Sequence, residues 1–204
     1  EIVIAAGGCP ADEGERAAKQ GLPIAVVPPG VDTDRFVPLA PEERAAVRAR
    51  FGLAPESTLV VSVSRLVPRK GMDVLIRAAA QLAPAHPELE VVIGGSGRDL
   101  PRLERLVAEL AAPVRLVGRI DDADLPGLYG AADIFAMYCR NRWLGLEQEG
   151  FSIVFLEAAA CGVPQVAGES GGAAEAVRHG ETGLVVDDPR SVAELSDALR
   201  ALII

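Results

Sequence analysis

Short apolar runs alternate with amphipathic stretches along most of this chain, and this alternation limits its possible folds more than any other feature. The runs are rich in Val, Ile, Leu and Ala, a composition typical of parallel strands that are buried on both faces. Strand–helix alternation at this spacing predicts right-handed crossover connections on a parallel sheet. We therefore predict an α/β fold with a Rossmann-like, doubly wound parallel sheet, whose ligands bind at the carboxyl ends of the strands.

The apolar runs give the predicted strands and the amphipathic stretches give the predicted helices. The strands are predicted at residues 24–27, 59–64, 90–94, 114–118, 133–138, 164–167 and 183–186. The helices are predicted at residues 41–51, 72–83, 99–110, 122–130, 152–161, 173–178 and 191–202. Residues 1–22 are predicted to be the remnant of a preceding domain or a linker, and residues 23–204 are predicted to form the main domain, which starts with the strand at 24–27.

Charge and cysteine content exclude several classes of function. The net charge is −9, and nucleic-acid binding depends on clustered Lys and Arg, so no nucleic-acid partner is expected. The three cysteines lack zinc-like spacing, and the two histidines lie far apart in the sequence, so neither a metal nor another cofactor is expected. No apolar run approaches the roughly 18 residues of a membrane span.

Two loops that follow predicted strands have features suited to a phosphate group. The segment S-R-L-V-P-R-K-G puts Arg65 at a strand end and Lys70 beside a helix start, where two cations and the helix dipole suit a diphosphate. The alternative is a solvated basic loop. Gly94, Gly95 and Gly97 form a second turn whose backbone can approach a ligand, although tight-turn geometry explains the same glycines equally well.

The segment E-G-F-S-I-V-F-L-E carries the strongest signal in the chain. Glu149 lies just before a predicted helix, and Glu157 lies within its apolar part, where a carboxylate needs a partner. A ribose diol would donate two hydrogen bonds to Glu157, whereas Glu149 would accept from the hydroxyls of a sugar. The free N–H groups at the helix start would face the same spot and belong to Phe151, Ser152, Ile153 and Val154. The alternative is an exposed glutamate at the helix start and a core glutamate bonded to backbone.

Two further loops are weaker candidates. Arg119 and Ile120 follow another predicted strand, and a backbone edge there would pair with a nucleobase, although a plain loop is the alternative. The turn at residues 168–175 leads to another helix start, and its acidic residues indicate a capping role.

In their order along the chain, the motifs S-R-L-x-P-R-K-G, G-G-S-G-R-D, V-G-R-I, E-G-F-S-I-V-F-L-E and G-G-A-A-E-A-V resemble those of the retaining GT-B glycosyltransferases of family 4, also called group 1. The resemblance covers roughly residues 24–200, so the chain would form the C-terminal, donor-binding half of a GT-B fold. The stretch C-R-N-R-W-L-G-L-E-Q-E-G-F most resembles phosphatidylinositol-mannoside mannosyltransferases, which use GDP-mannose.

The resemblance assigns roles to the candidate residues. Arg65 and Lys70 would hold the donor diphosphate, and Glu149 would hold the donor sugar with help from the helix N–H groups. Glu157 would bind the ribose, and Arg119 and Ile120 would frame the base. Enzymes of this type need no divalent metal and retain the anomeric configuration. The family usually has Gly where this chain has Ser152, whose side chain would either crowd the donor or turn outward as a helix cap.

The implied partners are a nucleotide sugar, a lipid or saccharide acceptor and an N-terminal domain that this chain lacks. GDP-mannose is the favoured donor, with UDP- and ADP-sugars as alternatives. A cytoplasmic location is expected, with peripheral attachment to the inner membrane face through the missing domain. The isolated chain should bind nucleotide weakly and turn over little or nothing.

Three other functions are open to a chain of this kind. A non-catalytic nucleotide-binding module would have lost some of the candidate residues, and a GT-B-like sugar-nucleotide epimerase would need histidines and carboxylates clustered in the cleft. A dehydrogenase is the weakest alternative, because the G-x-G-x-x-G pattern of dinucleotide-binding domains is missing.

Overall fold

The computed structural model describes residues 2–17 and 23–203. In this part of the chain the strands are β1 (Val3–Ala5), β2 (Ile24–Val26), β3 (Thr58–Val63), β4 (Leu89–Gly94), β5 (Val114–Gly118), β6 (Ile134–Met137), β7 (Gln165–Gly168) and β8 (Gly183–Val186). The helices are α1 (Gly8–Ala17), α2 (Pro41–Arg50), α3 (Met72–Leu82), α4 (Leu100–Leu110), α5 (Leu125–Ala131), α6 (Ile153–Ala160) and α7 (Val192–Leu202). Each predicted strand has an observed counterpart, whereas β1 and α1 are additional to the predicted elements.

Strands β3 to β8 form one parallel sheet in the order β5-β4-β3-β6-β7-β8. The chain builds outward from β3 through β4 to β5, and then returns to the other side of β3 to add β6, β7 and β8. This order confirms the predicted doubly wound parallel sheet. The winding direction reverses between β3 and β6, and the loops at the carboxyl ends of these two strands flank the crevice in which sheets of this kind bind ligands.

Helices cover both faces of this sheet. Helix α3 packs against α4 and α7, whereas α5 packs against α2 and α6. An aromatic stack runs through the second layer, where Phe135 of β6 meets Tyr129 of α5 edge-on at 5.5 Å and Phe155 of α6 at 5.4 Å between ring centroids. All three rings are buried, and such edge-to-face pairs add about 0.5–1.5 kcal/mol each beyond their burial.

A charged cluster anchors α2 at the amino edge of the sheet. Arg48 is 4% exposed and donates to the carbonyl oxygens of Ala131, Pro55 and Ser57 at 2.8–3.1 Å. Its guanidinium also pairs with Asp133 at 2.7 Å, and Asp133 in turn accepts from the Leu59 N–H. Asp133 was predicted to start a strand, but its side chain serves this cluster and β6 begins one residue later.

The N-terminal residues form a separate unit rather than part of the main sheet. Strand β2 pairs in parallel with β1, with Val3 opposite Ile24 and Ala5 opposite Val26, and α1 connects the two strands. The sequence placed residues 24–27 at the start of the main domain, which is wrong for this strand. The predicted division at residue 22 would separate β1 from β2, although these two strands are hydrogen-bonded to one another. Residues 18–22 of the predicted remnant lie outside the described residues.

Two predicted helices are shorter or tighter than expected. The predicted helix at 122–130 begins as a 3-10 turn, Asp122–Asp124, before α5 starts. The predicted helix at 173–178 is instead a 3-10 turn, Gly171–Ala176, because its two glycines lie against the backbone of the preceding loop. None of the helices in the described ranges is long and apolar enough to cross a bilayer.

Candidate functional site

A buried ion pair lies at the point where the sheet reverses. Lys70 closes a 3-10 turn, Pro68–Lys70, in the loop that leaves β3, and Glu149 lies in the loop that leaves β6. Their side chains meet with Lys70 Nζ 2.8 Å from Glu149 Oε2, and the two residues are only 7% and 5% exposed. Two of the predicted site residues are therefore brought into direct contact, and the alternative of a solvated Lys70 and an exposed Glu149 is wrong.

Two more side chains surround the Glu149 carboxylate. Arg69 Nε lies 3.5 Å from the same oxygen, and the Cys139 thiol donates to it at 3.8 Å. Burial raises the pKa of Cys139 to about 12, so this thiol keeps its proton. The Arg140 N–H donates to the Arg69 carbonyl oxygen at 2.8 Å and ties the two loops together. Sequence reasoning gave Arg69 and Cys139 no role in the site, although Arg69 lies in the same basic run as Lys70.

Arg65 lies in the same loop but has a different environment. Its side chain is exposed at the start of the loop, and no ion pair or hydrogen bond holds the guanidinium within the described residues. The charge of Lys70 is compensated by Glu149, whereas that of Arg65 is open to a ligand. The two cations predicted for one diphosphate therefore differ in burial and in pairing.

The glycines after β4 let two loops approach closely. Gly95 has φ of 133°, and a Cβ there would lie 1.8 Å from the Ser64 carbonyl oxygen. A Cβ on Gly97 would lie 2.2 Å from the Leu66 carbonyl oxygen, and one on Gly94 would lie 2.8 Å from the Ile120 side chain. These contacts give the glycines a packing role in supporting the Arg65 loop, as the tight-turn alternative expects.

Glu157 lies in the second half of α6, half-buried, and faces the loop that leaves β5. Burial raises the pKa of Glu157 above the ordinary glutamate value, and the nearby charge of Asp122 raises it further. The Tyr129 hydroxyl and the Arg35 guanidinium lower this pKa and offset part of the rise. Asp122 belongs to the loop that contains Arg119 and Ile120, so Glu157 and the predicted base-binding residues share one side of the site. Arg119 is exposed, and Ile120 packs near Gly94.

Helix α6 presents its first turn between the two glutamates. Its first N–H groups have no partner within the helix, as at any helix start. Ser152 is the N-cap residue in an extended conformation, but it is 4% exposed and its Oγ has no hydrogen-bond partner. Of the two alternatives for Ser152, the outward-turned cap is therefore wrong. Ile153 is 42% exposed, whereas Phe151 and Val154 are partly buried.

The turn Gly171–Ala176 fixes the backbone of Glu149 and holds the N-terminal unit. The Gly172 N–H donates to the Glu149 carbonyl oxygen at 2.9 Å, and a Cβ on Gly171 would lie 2.1 Å from the same oxygen. From this turn, the Glu175 carboxylate accepts the N–H groups of Gly8 and Cys9, both at 2.8 Å. Among the described residues no side chain caps the turn of this segment itself, which differs from the prediction, and Glu175 instead caps α1.

A large cavity in the described part of the protein lies elsewhere. It has a volume of about 720 Å³ and is formed by β8, α7 and the turn after β7, with Val177, His179 and Leu184 among its lining residues. No group of three or more His, Cys, Asp or Glu residues in the described ranges is arranged to hold a metal ion.

Sequence comparisons identify relatives of this chain. The family profile described as "Glycosyl transferases group 1" matches residues 43–204. A GDP-mannose-dependent alpha-(1-6)-phosphatidylinositol monomannoside mannosyltransferase of Mycolicibacterium smegmatis is 50% identical over 163 residues, which are 79% of this chain and 42% of that protein. A GDP-mannose-dependent monoacylated alpha-(1-6)-phosphatidylinositol monomannoside mannosyltransferase of Corynebacterium glutamicum is 45% identical over 177 residues, or 87% of this chain and 46% of that protein.

Solved structures give the same result for the fold. A crystal structure of Anabaena Alr3699/HepE in complex with UDP and glucose superposes with a TM-score of 0.86 at 27% identity, covering 99% of this chain and 53% of that one. The chain thus spans about half the length of the structure and less than half the length of the two sequence relatives.

Proposed function

The chain belongs to the group 1 glycosyltransferase family, and from that premise we propose that it forms the donor-binding half of an enzyme that transfers mannose from GDP-mannose. The observation that carries the proposal is the buried contact of Lys70 with Glu149 at the reversal point of the sheet, with Arg65 on one side and Glu157 on the other. At this reversal point, the cations and the carboxylates would bind opposite parts of one sugar nucleotide.

Each group has a chemical task in this proposal. Arg65 and Lys70 bind the diphosphate, which gains negative charge as the sugar departs, and fixed cations that stabilise this charge lower the barrier. Glu149 and the N–H groups at the start of α6 hold the mannose hydroxyls. Ionised Glu157 accepts hydrogen bonds from the ribose, and the loop of Arg119 frames the base.

The reaction exchanges one bond at the anomeric carbon of the sugar. The bond from that carbon to the diphosphate oxygen breaks, and a bond to the acceptor hydroxyl oxygen forms on the same face. The acceptor proton passes to the departing phosphate. The named relatives act on phosphatidylinositol monomannosides, and we take the acceptor to be a lipid of that class. Its contacts belong to the half of the enzyme that this chain does not include.

The positions of the histidines speak against a sugar-nucleotide epimerase. His86 precedes β4 at the amino edge of the sheet, and the His179 ring accepts the Val185 N–H on the edge strand β8, two strands away from β6. The candidate site lies at the carboxyl edge, and neither imidazole can serve there as an acid or a base. A non-catalytic nucleotide-binding module remains the second candidate for a chain with this site.

Calorimetric titration of the chain with GDP, UDP and ADP, and with their sugars, tests the proposal. GDP and GDP-mannose are expected to bind more tightly than the others. Arg65→Ala should weaken GDP binding about 10- to 100-fold, because a charge-assisted hydrogen bond contributes about 1.5–3 kcal/mol. This change should leave the fold intact, because the side chain is exposed and has no ion pair or hydrogen bond among the described residues.

Arg200→Ala provides the matched control. Arg200 is an exposed arginine near the end of α7, towards the opposite edge of the sheet, and among the described residues it pairs with Asp197 on its own helix. Equal GDP affinity of the wild type and the Arg65 variant would contradict the proposal. Turnover by the complete enzyme, which the Arg65 change should reduce, separates a transferase from a module that only binds nucleotide.

A further inference from the structure

A short turn between β6 and α6 projects away from the body of the protein. Arg142 and Glu147 close it through two backbone hydrogen bonds, of 2.9 and 3.2 Å, and through a side-chain ion pair of 2.8 Å. Between them lie Trp143, Leu144 and Leu146, which we call the apolar tip. Because the bonds between Arg142 and Glu147 close its base, the turn is a defined structure rather than an open loop.

The apolar tip exposes large side chains that the fold does not use. Trp143 is 62% exposed, Leu146 is 89% exposed, and Leu144 is fully exposed. Trp143 and Leu144 also have positive φ angles of 48° and 55°, a region that costs bulky residues about 1–2 kcal/mol each. The chain thus accepts backbone strain at two residues whose side chains make little contact with the protein.

The size of the apolar tip fits a lipid surface better than a protein partner. A stable protein–protein interface takes about 800 Å² from each partner. Three side chains, at no more than roughly 150–250 Å² each, supply less than that. Insertion into a bilayer interface has no such threshold, because every apolar side chain that leaves water adds its own contribution.

The chemistry of the apolar tip also matches a lipid interface. The Arg142 guanidinium lies over the Trp143 ring at 4.7 Å from its centroid, so a cation and an amphipathic ring are presented together. Tryptophan concentrates at the level of lipid headgroups, where its ring is in apolar surroundings and its N–H can meet a polar group. The chain as a whole carries a charge of −9, so long-range attraction to an anionic surface cannot supply the binding.

We propose that the apolar tip inserts into the surface of the bilayer that carries the acceptor. The inference rests on the lipid acceptor of the proposed function. Glu147, at the base of the turn, is two residues from Glu149, so insertion brings the sugar-binding carboxylate to the headgroup layer. The donor half then contributes its own membrane contact, in addition to any that the rest of the enzyme makes.

Fluorescence tests this directly, because Trp143 is the only tryptophan in the chain. On addition of vesicles of phosphatidylcholine with phosphatidylinositol, its emission should shift to shorter wavelength, and brominated acyl chains should quench it. Leu144→Ser should weaken vesicle binding about tenfold, since a buried leucine side chain is worth about that factor or more. Leu110→Ser, at an exposed leucine on the end of α4, is the matched control and should bind as the wild type does.

Three results would overturn the inference. One is an unchanged Trp143 spectrum with vesicles. Another is a shift that grows with protein concentration without lipid, which would mean that the apolar tip packs against a second copy of the chain. The third is loss of vesicle binding in the double variant Ile4→Ser/Val26→Ser but not in Leu144→Ser, which would move the contact to the exposed face of the β1–β2 unit. GDP titration of the same preparations separates these results from a failure of the proposed donor site.

Discussion

Removal of the Lys70 amine should destabilise the protein measurably, because it leaves a buried carboxylate behind. Breaking a buried ion pair by deleting one partner costs about 3–5 kcal/mol. Arg69 still lies 3.5 Å from Glu149 and compensates part of the charge, so we expect the lower end, about 3 kcal/mol, for Lys70→Ala. For a chain of this length, that free energy corresponds to a fall of roughly 6–12 °C in Tm.

Urea unfolding of four proteins provides the assay: the wild type, Lys70→Met, Glu149→Leu and the double variant. Each single variant should lose stability, whereas the double variant should recover most of it, because apolar replacement of a whole buried pair is often neutral or stabilising. GDP binding should be weakened in the double variant whatever its stability. A loss below about 1 kcal/mol in Lys70→Met, or a double variant as unstable as the sum of the two singles, would refute this reasoning.

Three further predictions concern other parts of the molecule. GDP affinity should fall on acidification, because protonated Glu157 cannot accept hydrogen bonds from both ribose hydroxyls. Since the pKa of Glu157 is raised, the fall should begin above the ordinary glutamate pKa of 4.5. Calorimetry at several pH values checks this, and Glu157→Gln should remove the pH dependence. Arg48→Ala should cost about 3 kcal/mol in urea unfolding, because Arg44 still pairs with Asp133 but the carbonyl oxygens of Ala131 and Ser57 lose their buried donor. Glu175→Ala should speed hydrogen exchange of the Gly8 and Cys9 amides about fivefold, the equivalent of the roughly 1 kcal/mol lost with a helix cap, and unchanged exchange would rule out the capping role.

The sequence predicted the main sheet well because its strands are bounded by sharp signals. Val114–Gly118 and Gly183–Val186 were predicted at their observed bounds, since β-branched and leucine runs there end or begin at glycine. Helix α1 was missed because it starts with Gly8, Cys9 and Pro10, which are weak helix formers. The pairing of β1 with β2 could not be predicted, because both strands are too short for their pattern to indicate a partner.

Within the site, the sequence identified charged residues but not how they meet. Lys70 and Glu149 are far apart in the chain, and their contact follows from β6 lying beside β3, an order that no local pattern encodes. Arg69 and Lys70 are adjacent cations in the sequence, and no local pattern distinguishes their roles. Only the 3-10 turn determines that Lys70 makes the shorter contact with the carboxylate. The roles of Arg65, Arg119 and the α6 amides toward a donor stay predictions.

Amide chemical-shift mapping with GDP tests the central claim most directly, because it locates the ligand without assuming a site. The largest changes should fall at residues 64–71, 119–120 and 149–157, in the loops at the carboxyl edge on both sides of the reversal between β3 and β6. Changes concentrated instead around His179 and Leu184, in the large cavity beside α7, with the β3 and β6 loops unaffected, would contradict it.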